Sequence, residues 1–345
     1  MEKQTYMLTQ LKNLLDIPSP TGMTRGATDY LLSELTAMGF APVRTPKGNV
    51  VCELGGEGHP LLVSAHVDTL GAIVRSVKGN GCLHLSMLGG YNGNAIENEN
   101  VLIHTRSGKT YSGTVQCVKA SRHVWGDTTG FNRTIDTLEV VIDENTYSRS
   151  ETEALGIAAG DFVSFDPRFV VTESGFVKAR FLDDKASSAI LLTLAREIAE
   201  GRVKPGRKVT IMFTVYEEVG HGAAAISHMD VEDLLAVDMG CVGDDLNCRE
   251  AQVSICAKDS GGPYDYAFTT ELIARAKRMN LDYAVDIYPR YGSDAGTALR
   301  SGMEARFALC GQGVFASHGY ERTHVKGMLA TLALVTDVAE TVAAE

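Results

Sequence analysis

The chain has 345 residues, 44% hydrophobic and 22% charged, with a formal net charge of −11. That length exceeds what one hydrophobic core usually organises, so two domains are expected. The acidic balance argues against a nucleic-acid partner, which needs clustered Lys and Arg, and no apolar run is long enough to span a bilayer. The first residues, Met1 to Tyr6, lack the apolar core of a secretion signal. The seven cysteines are scattered and include no Cys-x-x-Cys pair, so reduced thiols in a cytoplasmic protein are expected.

In chain order, Tyr6, Leu8, Leu11, Leu14 and Leu15 keep a helical spacing that ends before Pro18 and Pro20. A second helix is expected from about Thr24 to Met38, with Gly39 at the position of a left-handed cap. Strands follow at Asn49–Leu54 and Leu61–Ala65. From Gly71 to about Phe176 helical periodicity is lacking. Short alternating or β-branched runs replace it, punctuated by hairpin turns at Gly79-Asn80-Gly81 and Arg106-Ser107-Gly108-Lys109. The α/β texture then returns with a helix at Asp184–Glu200, a strand at Val209–Val215, a helix at Tyr264–Met279, a strand at Tyr283–Tyr288 and a final helix at Ala330–Ala343. The expected fold is α/β, a mixed central sheet flanked by helices and built from residues 1–70 and 177–345. A small all-β domain, residues 71–176, is inserted into it.

The chemistry is concentrated where apolar runs end. Leu61–Ala65 runs into His66-Val67-Asp68, Phe181-Leu182 into Asp183-Asp184, Val209–Val215 into Glu217-Glu218, Leu234–Val237 into Asp238, and Phe307–Phe315 towards His318. Ligand sites in open α/β sheets lie beyond the carboxyl ends of the strands. These endings are therefore expected to converge, offering the imidazoles and carboxylates that divalent metals take. His66 reads as a ligand with Asp68 as its orienter. Of the Asp183-Asp184 pair, one can cap the following helix while the other ligates, and Asp183, with two oxygens, suits bridging two cations. Adjacent Glu217 and Glu218 at the end of a buried strand are costly unless solvated or compensated by a cation. One can ligate while the other shuttles a proton. Asp238 alone reads as a turn residue. His318 is a candidate ligand and His324, six residues on, its rival.

These pieces resemble the M42 metallo-aminopeptidases, the class that includes the tetrahedral self-compartmentalising peptidases. The matching segments are Ser64-Ala65-His66-Val67-Asp68-Thr69, Phe181-Leu182-Asp183-Asp184-Lys185, Tyr216-Glu217-Glu218-Val219-Gly220, Val237-Asp238, Gly292-Ser293-Asp294-Ala295-Gly296 and the late His318. The family usually has Arg at the position of Lys185, and the segment from Ser317 to His324 departs from its commoner pattern. The resemblance implies a zinc-peptidase-like fold and two divalent ions, zinc foremost, with cobalt or manganese as alternatives. By carry-over, His66, Asp183 and Asp238 hold one ion, and Asp183, Glu218 and His318 the other. His324 is the alternative last ligand. Glu217 is the general base acting on a metal-bridged water, Asp68 orients His66, and Gly292, Ser293 and Asp294 lie near the substrate. The implied activity is release of N-terminal residues from peptides by a homo-oligomer, a dodecamer by resemblance, whose β domain serves assembly or substrate access. The alternatives are a metal-dependent deacylase or carboxypeptidase on the same site, or a metal-free glycoside hydrolase using two carboxylates.

Overall fold

A computed structural model describes residues 2–341. It divides into two compact units, one formed by residues 2–68 and 168–341 and the other by Thr69–Pro167.

The larger unit is organised by a mixed sheet. At its centre Val209–Thr214, Leu61–His66, Asp233–Val237 and Arg306–Phe315 lie side by side and parallel. Val50–Gly55 borders one side of this block and Val253–Asp259 the other, both antiparallel. Leu61–His66 and Asp233–Val237 are buried along their whole length. That is why they read as continuous apolar runs without alternation, as strands covered on both faces do. The helices Lys3–Asp16, Leu182–Ala199 and Val325–Glu340 pack together against one face. The other face buries Leu62, Met212, Leu234, Ala236 and Leu309 with Ala295 and Ala298 of the short helix Asp294–Arg300. The expected final helix starts earlier, at Val325, and ends at Glu340; Val342 and Ala343 lie outside the described residues. The Asp294–Arg300 helix was not anticipated, because seven residues are too few to display a helical period.

The smaller unit is a closed antiparallel barrel. Its strands run in the order Gly71–Val77, Leu83–Leu88, Leu138–Ile142, Thr110–Cys117, Asn100–His104 and Phe162–Phe165, the last pairing back to the first. Alternate residues such as Val74, Leu85, Ile103, Val115, Val140 and Val163 fill the interior, and closure leaves the barrel without a free edge. Gly113 fits because a Cβ there would lie 2.6 Å from the Val141 carbonyl oxygen.

Two expectations for this segment need correction. The insert ends at Pro167 rather than Phe176, since Phe176–Ala179 pairs with Glu321–His324 in the sheet of the larger unit. It also contains a helix, Arg149–Ala154, capped by the Ser148 hydroxyl, which accepts the Glu151 N–H.

Candidate metal centre

The central strands are parallel, so their carboxyl ends lie on one side, and the predicted endings meet there. His66 closes its strand. Its Nε2 lies 2.9 Å from Asp183 Oδ1 and 3.8 Å from Glu217 Oε2. Its Nδ1 faces the backbone carbonyl of Asp68 at 2.9 Å, closer than the Asp68 carboxylate at 3.6 Å. The Asp68 carboxylate is buried and turned to other work. It accepts the Thr21 hydroxyl at 2.6 Å and the backbone N–H groups of Glu217 at 3.1 Å and Glu218 at 3.4 Å.

Asp183 and Asp184 open the helix Leu182–Ala199 but do not have helical dihedrals, and the peptide between them is cis. Asp184 Oδ2 accepts the His66 backbone N–H at 3.2 Å. His318 Nε2 lies 3.4 Å from Asp183 Oδ2 and 3.7 Å from Glu218 Oε2. Two overlapping triads, His66 with Asp183 and Glu218, and His66 with Asp184 and Asp238, have donor atoms within 4.8 Å of one another. Glu218 Oε1 and Asp184 Oδ1 are buried and have no hydrogen-bond partner among the described residues. Buried carboxylate oxygens are normally satisfied, so these two fit cations, and the imidazole–carboxylate donor set is one that divalent metals take.

Not every candidate joins this group. His324 caps the final helix, with Nδ1 accepting the Lys326 N–H and Nε2 2.9 Å from the Ser174 carbonyl. Asp294 accepts the Thr214 hydroxyl and the Ala223 N–H, so its carboxylate ties the end of one strand to a turn. Gly292 and Ser293 line a cavity of about 250 Å³ bounded by Asp183, Glu217, Glu218 and Asp238.

Residues 48–334 match the sequence model of the family described as M42 glutamyl aminopeptidase. The chain belongs to that family. It is a metal-dependent aminopeptidase and thus a peptide hydrolase. A provisionally named aminopeptidase of Bacillus subtilis, YhfE, is 42% identical over 94% of each chain. In fold, this M42 peptidase is similar to the aminopeptidase APDkam598 from the archaeon Desulfurococcus kamchatkensis, with TM-score 0.89, 19% identity and 99% and 96% of the two chains covered. It is also similar to the Pyrococcus horikoshii TET1 peptidase, which can assemble into a tetrahedron or a large octahedral shell, with TM-score 0.85, 21% identity and 97% and 100% covered.

Burial dominates the electrostatics of the M42 site. It pushes Glu217, Glu218 and Asp184 well above the usual carboxylate range, and Asp238 up to about 7, with neighbouring carboxylates adding to the effect. Burial opposes ionisation of Asp183 too, yet the His318 and His66 hydrogen bonds hold it below its ordinary value. For His66, burial disfavours the charged ring, but the Asp183 hydrogen bond and the surrounding carboxylates raise it. The cluster is an excess of buried negative charge, which bound cations would neutralise.

Sequence reasoning missed four participants. Asp184 was treated as part of a capping pair, although its carboxylate gathers with His66 and Asp238. Glu321 accepts the backbone N–H groups of Asp183 and His318, each at 3.0 Å. Arg290 and Arg300 line the cavity and make no ion pair among the described residues; Arg300 donates to the Thr297 hydroxyl at 3.0 Å. A usable signal was present, since the two arginines flank the Gly292-Ser293-Asp294 segment at ten residues' separation.

Proposed function

We propose that this chain is a dinuclear metal aminopeptidase that removes acidic residues from the N-termini of peptides. One observation carries the reading: a cluster of the buried His66 imidazole and carboxylates with unsatisfied oxygens adjoins a cavity lined by Arg290 and Arg300, which make no ion pair among the described residues. His66, Asp183 and Asp238 would hold one ion, and Asp183, Glu218 and His318 the other, with zinc the foremost candidate. When bound, such ions polarise the scissile carbonyl and lower the pKa of a coordinated water.

The chain's own residues do the rest. Glu217, fixed through its backbone by Asp68, takes a proton from the attacking water and passes it to the leaving amine. Arg290 and Arg300 pair with the side-chain carboxylate of the N-terminal residue, as guanidinium groups do where planar, charge-assisted recognition is needed. Gly292 and Ser293 line the same cavity. Assembly as a homo-oligomer is supported by the shells of the P. horikoshii TET1 peptidase. A cytoplasmic location is supported by seven free cysteines.

The test is a panel of chromogenic aminoacyl substrates on enzyme stripped of metal and then restored with zinc, cobalt or manganese. Glutamyl and aspartyl substrates should be cleaved fastest, and only after metal is restored. Turnover that survives chelation would end the metal mechanism, whereas a preference for neutral or basic residues would end the arginine assignment alone.

A further inference from the structure

Glu321 is 1% exposed, and each oxygen of its carboxylate serves a different turn. Oε2 accepts the backbone N–H of Asp183 and Oε1 that of His318. Glu321 opens the strand Glu321–His324 and sits directly across from Ala179 in the antiparallel pair with Phe176–Ala179. One strand leaves this point towards Phe181–Asp183, and the other arrives at it from Ala316–His318. Both turns contain non-glycine residues in the left-handed region, Phe181 at φ 67°, Ala316 at φ 59° and His318 at φ 62°. Such residues are strained and persist only where their surroundings hold them. A carboxylate with both oxygens engaged by backbone does not reach a substrate. It sets the distance between the two turns, across which His318 Nε2 lies 3.4 Å from Asp183 Oδ2.

We propose that Glu321 is a positioning residue that clamps the Asp183 and His318 turns together and thereby sets the affinity of the metal position formed by Asp183, Glu218 and His318. The inference rests on the dinuclear reading above. Glutamine at 321 keeps one acceptor oxygen but turns an NH2 donor towards the second N–H. Aspartate keeps two carboxyl oxygens but falls one methylene short of spanning both turns.

The experiment is cobalt titration of the metal-free proteins, followed by visible absorption and calorimetry, with thermal unfolding of each metal-free protein alongside. The set comprises wild type, Glu321→Gln, Glu321→Asp, His318→Ala and Arg322→Ala, the last, next to Glu321 on its strand, removing an ion pair to Glu250 and contacts with the Phe176 and Phe315 rings. One binding step should weaken about 10–100-fold in both Glu321 variants, the range seen when outer partners of metal ligands are removed. It should be the step that His318→Ala abolishes. The other step should be unchanged in both Glu321 variants, whose metal-free unfolding temperature should fall only modestly as a buried N–H loses its acceptor, and Arg322→Ala should match the wild type at both binding steps.

Wild-type affinity at both steps in Glu321→Gln would overturn the clamp. Wild-type affinity in Glu321→Asp would do so too, since the span between the two turns would then not matter. Weakening of both steps together with a sharply lower unfolding temperature would assign Glu321 a folding role instead. Uptake of a single cobalt by the wild type would overturn the dinuclear reading itself, and the clamp with it.

Discussion

Asp68 and Glu217 are joined through the backbone: Asp68 Oδ1 accepts the Glu217 N–H at 3.1 Å, while Oδ2 holds the Thr21 hydroxyl and the Glu218 N–H. One buried carboxylate therefore orients both glutamates at the end of the Val209–Thr214 strand. Asp68→Asn replaces one acceptor with a donor facing an N–H. We expect kcat to fall about 10–100-fold, as with other outer partners of metal sites, and KM to change little. Wild-type kcat in Asp68→Asn would show that Glu217 is held by other contacts.

The strand endings were legible because buried parallel strands print as unbroken apolar runs, and an acid or imidazole at the end of such a run has few structural uses. The meeting of His66, Asp183, Glu218 and Asp238 follows from strand order. The role of Asp68 was harder to read: spacing put it beside His66, but its carboxylate points at backbone nitrogens, and the nearer partner of the ring is its own carbonyl. Glu321 was illegible for the same reason, because a side chain that bonds to backbone leaves no pattern in residue types. The choice between His318 and His324 depended on a turn with two left-handed residues, which sequence periodicity does not encode.

Glu217→Gln should bind metal as the wild type does and lose about 10²–10⁴ in kcat, the usual worth of a positioned acid–base group. Metal analysis and steady-state kinetics on the same preparation check both halves. Burial raises the proton affinity of Glu217, which suits a group that must accept a proton and return it within one cycle.

Removing metal should make stability fall as pH rises. Asp238 moves from 3.8 to about 7, and Asp184, Glu217 and Glu218 shift the same way, all through burial. A carboxyl whose folded pKa is raised stabilises the protein below its unfolded value and loses that contribution as pH climbs through the folded one. The window for Asp238 is therefore from 3.8 to about 7. Asp183 acts oppositely: its lowered value protects the fold above 3.8 and is lost only in stronger acid. Urea midpoints of the metal-free protein should be higher at about pH 5 than at about pH 8, and added zinc should reverse the order. A midpoint that rises with pH in the absence of metal would contradict the buried-charge account.

Replacing Arg290 and Arg300 together by Ala should lower kcat/KM for glutamyl and aspartyl substrates about 10–100-fold, in line with losing a hydrogen bond to a charged group. Alanyl and leucyl substrates should be unaffected. A uniform loss across the panel would mean that the arginines shape the cavity rather than read the side chain.

The opposite end of the sheet carries a stability device independent of the chemistry. Asp233, at the start of its strand, accepts Arg207 at 2.7 Å, both groups being 1% exposed, and Arg306 at 2.7 Å. A buried pair of this kind contributes little beyond what an apolar replacement would, but breaking it strands a charge without solvent. Asp233→Ala should therefore cost about 3–5 kcal/mol in chemical denaturation, whereas replacing Asp233 and Arg207 together with apolar residues should cost less than the single change. Because these residues flank the amino ends of the strands and the metal cluster their carboxyl ends, kcat per folded molecule should remain that of the wild type. A single variant that keeps full stability would mean that water reaches Arg207, and a double variant worse than the single would mean that the pair fixes the sheet rather than merely neutralising itself.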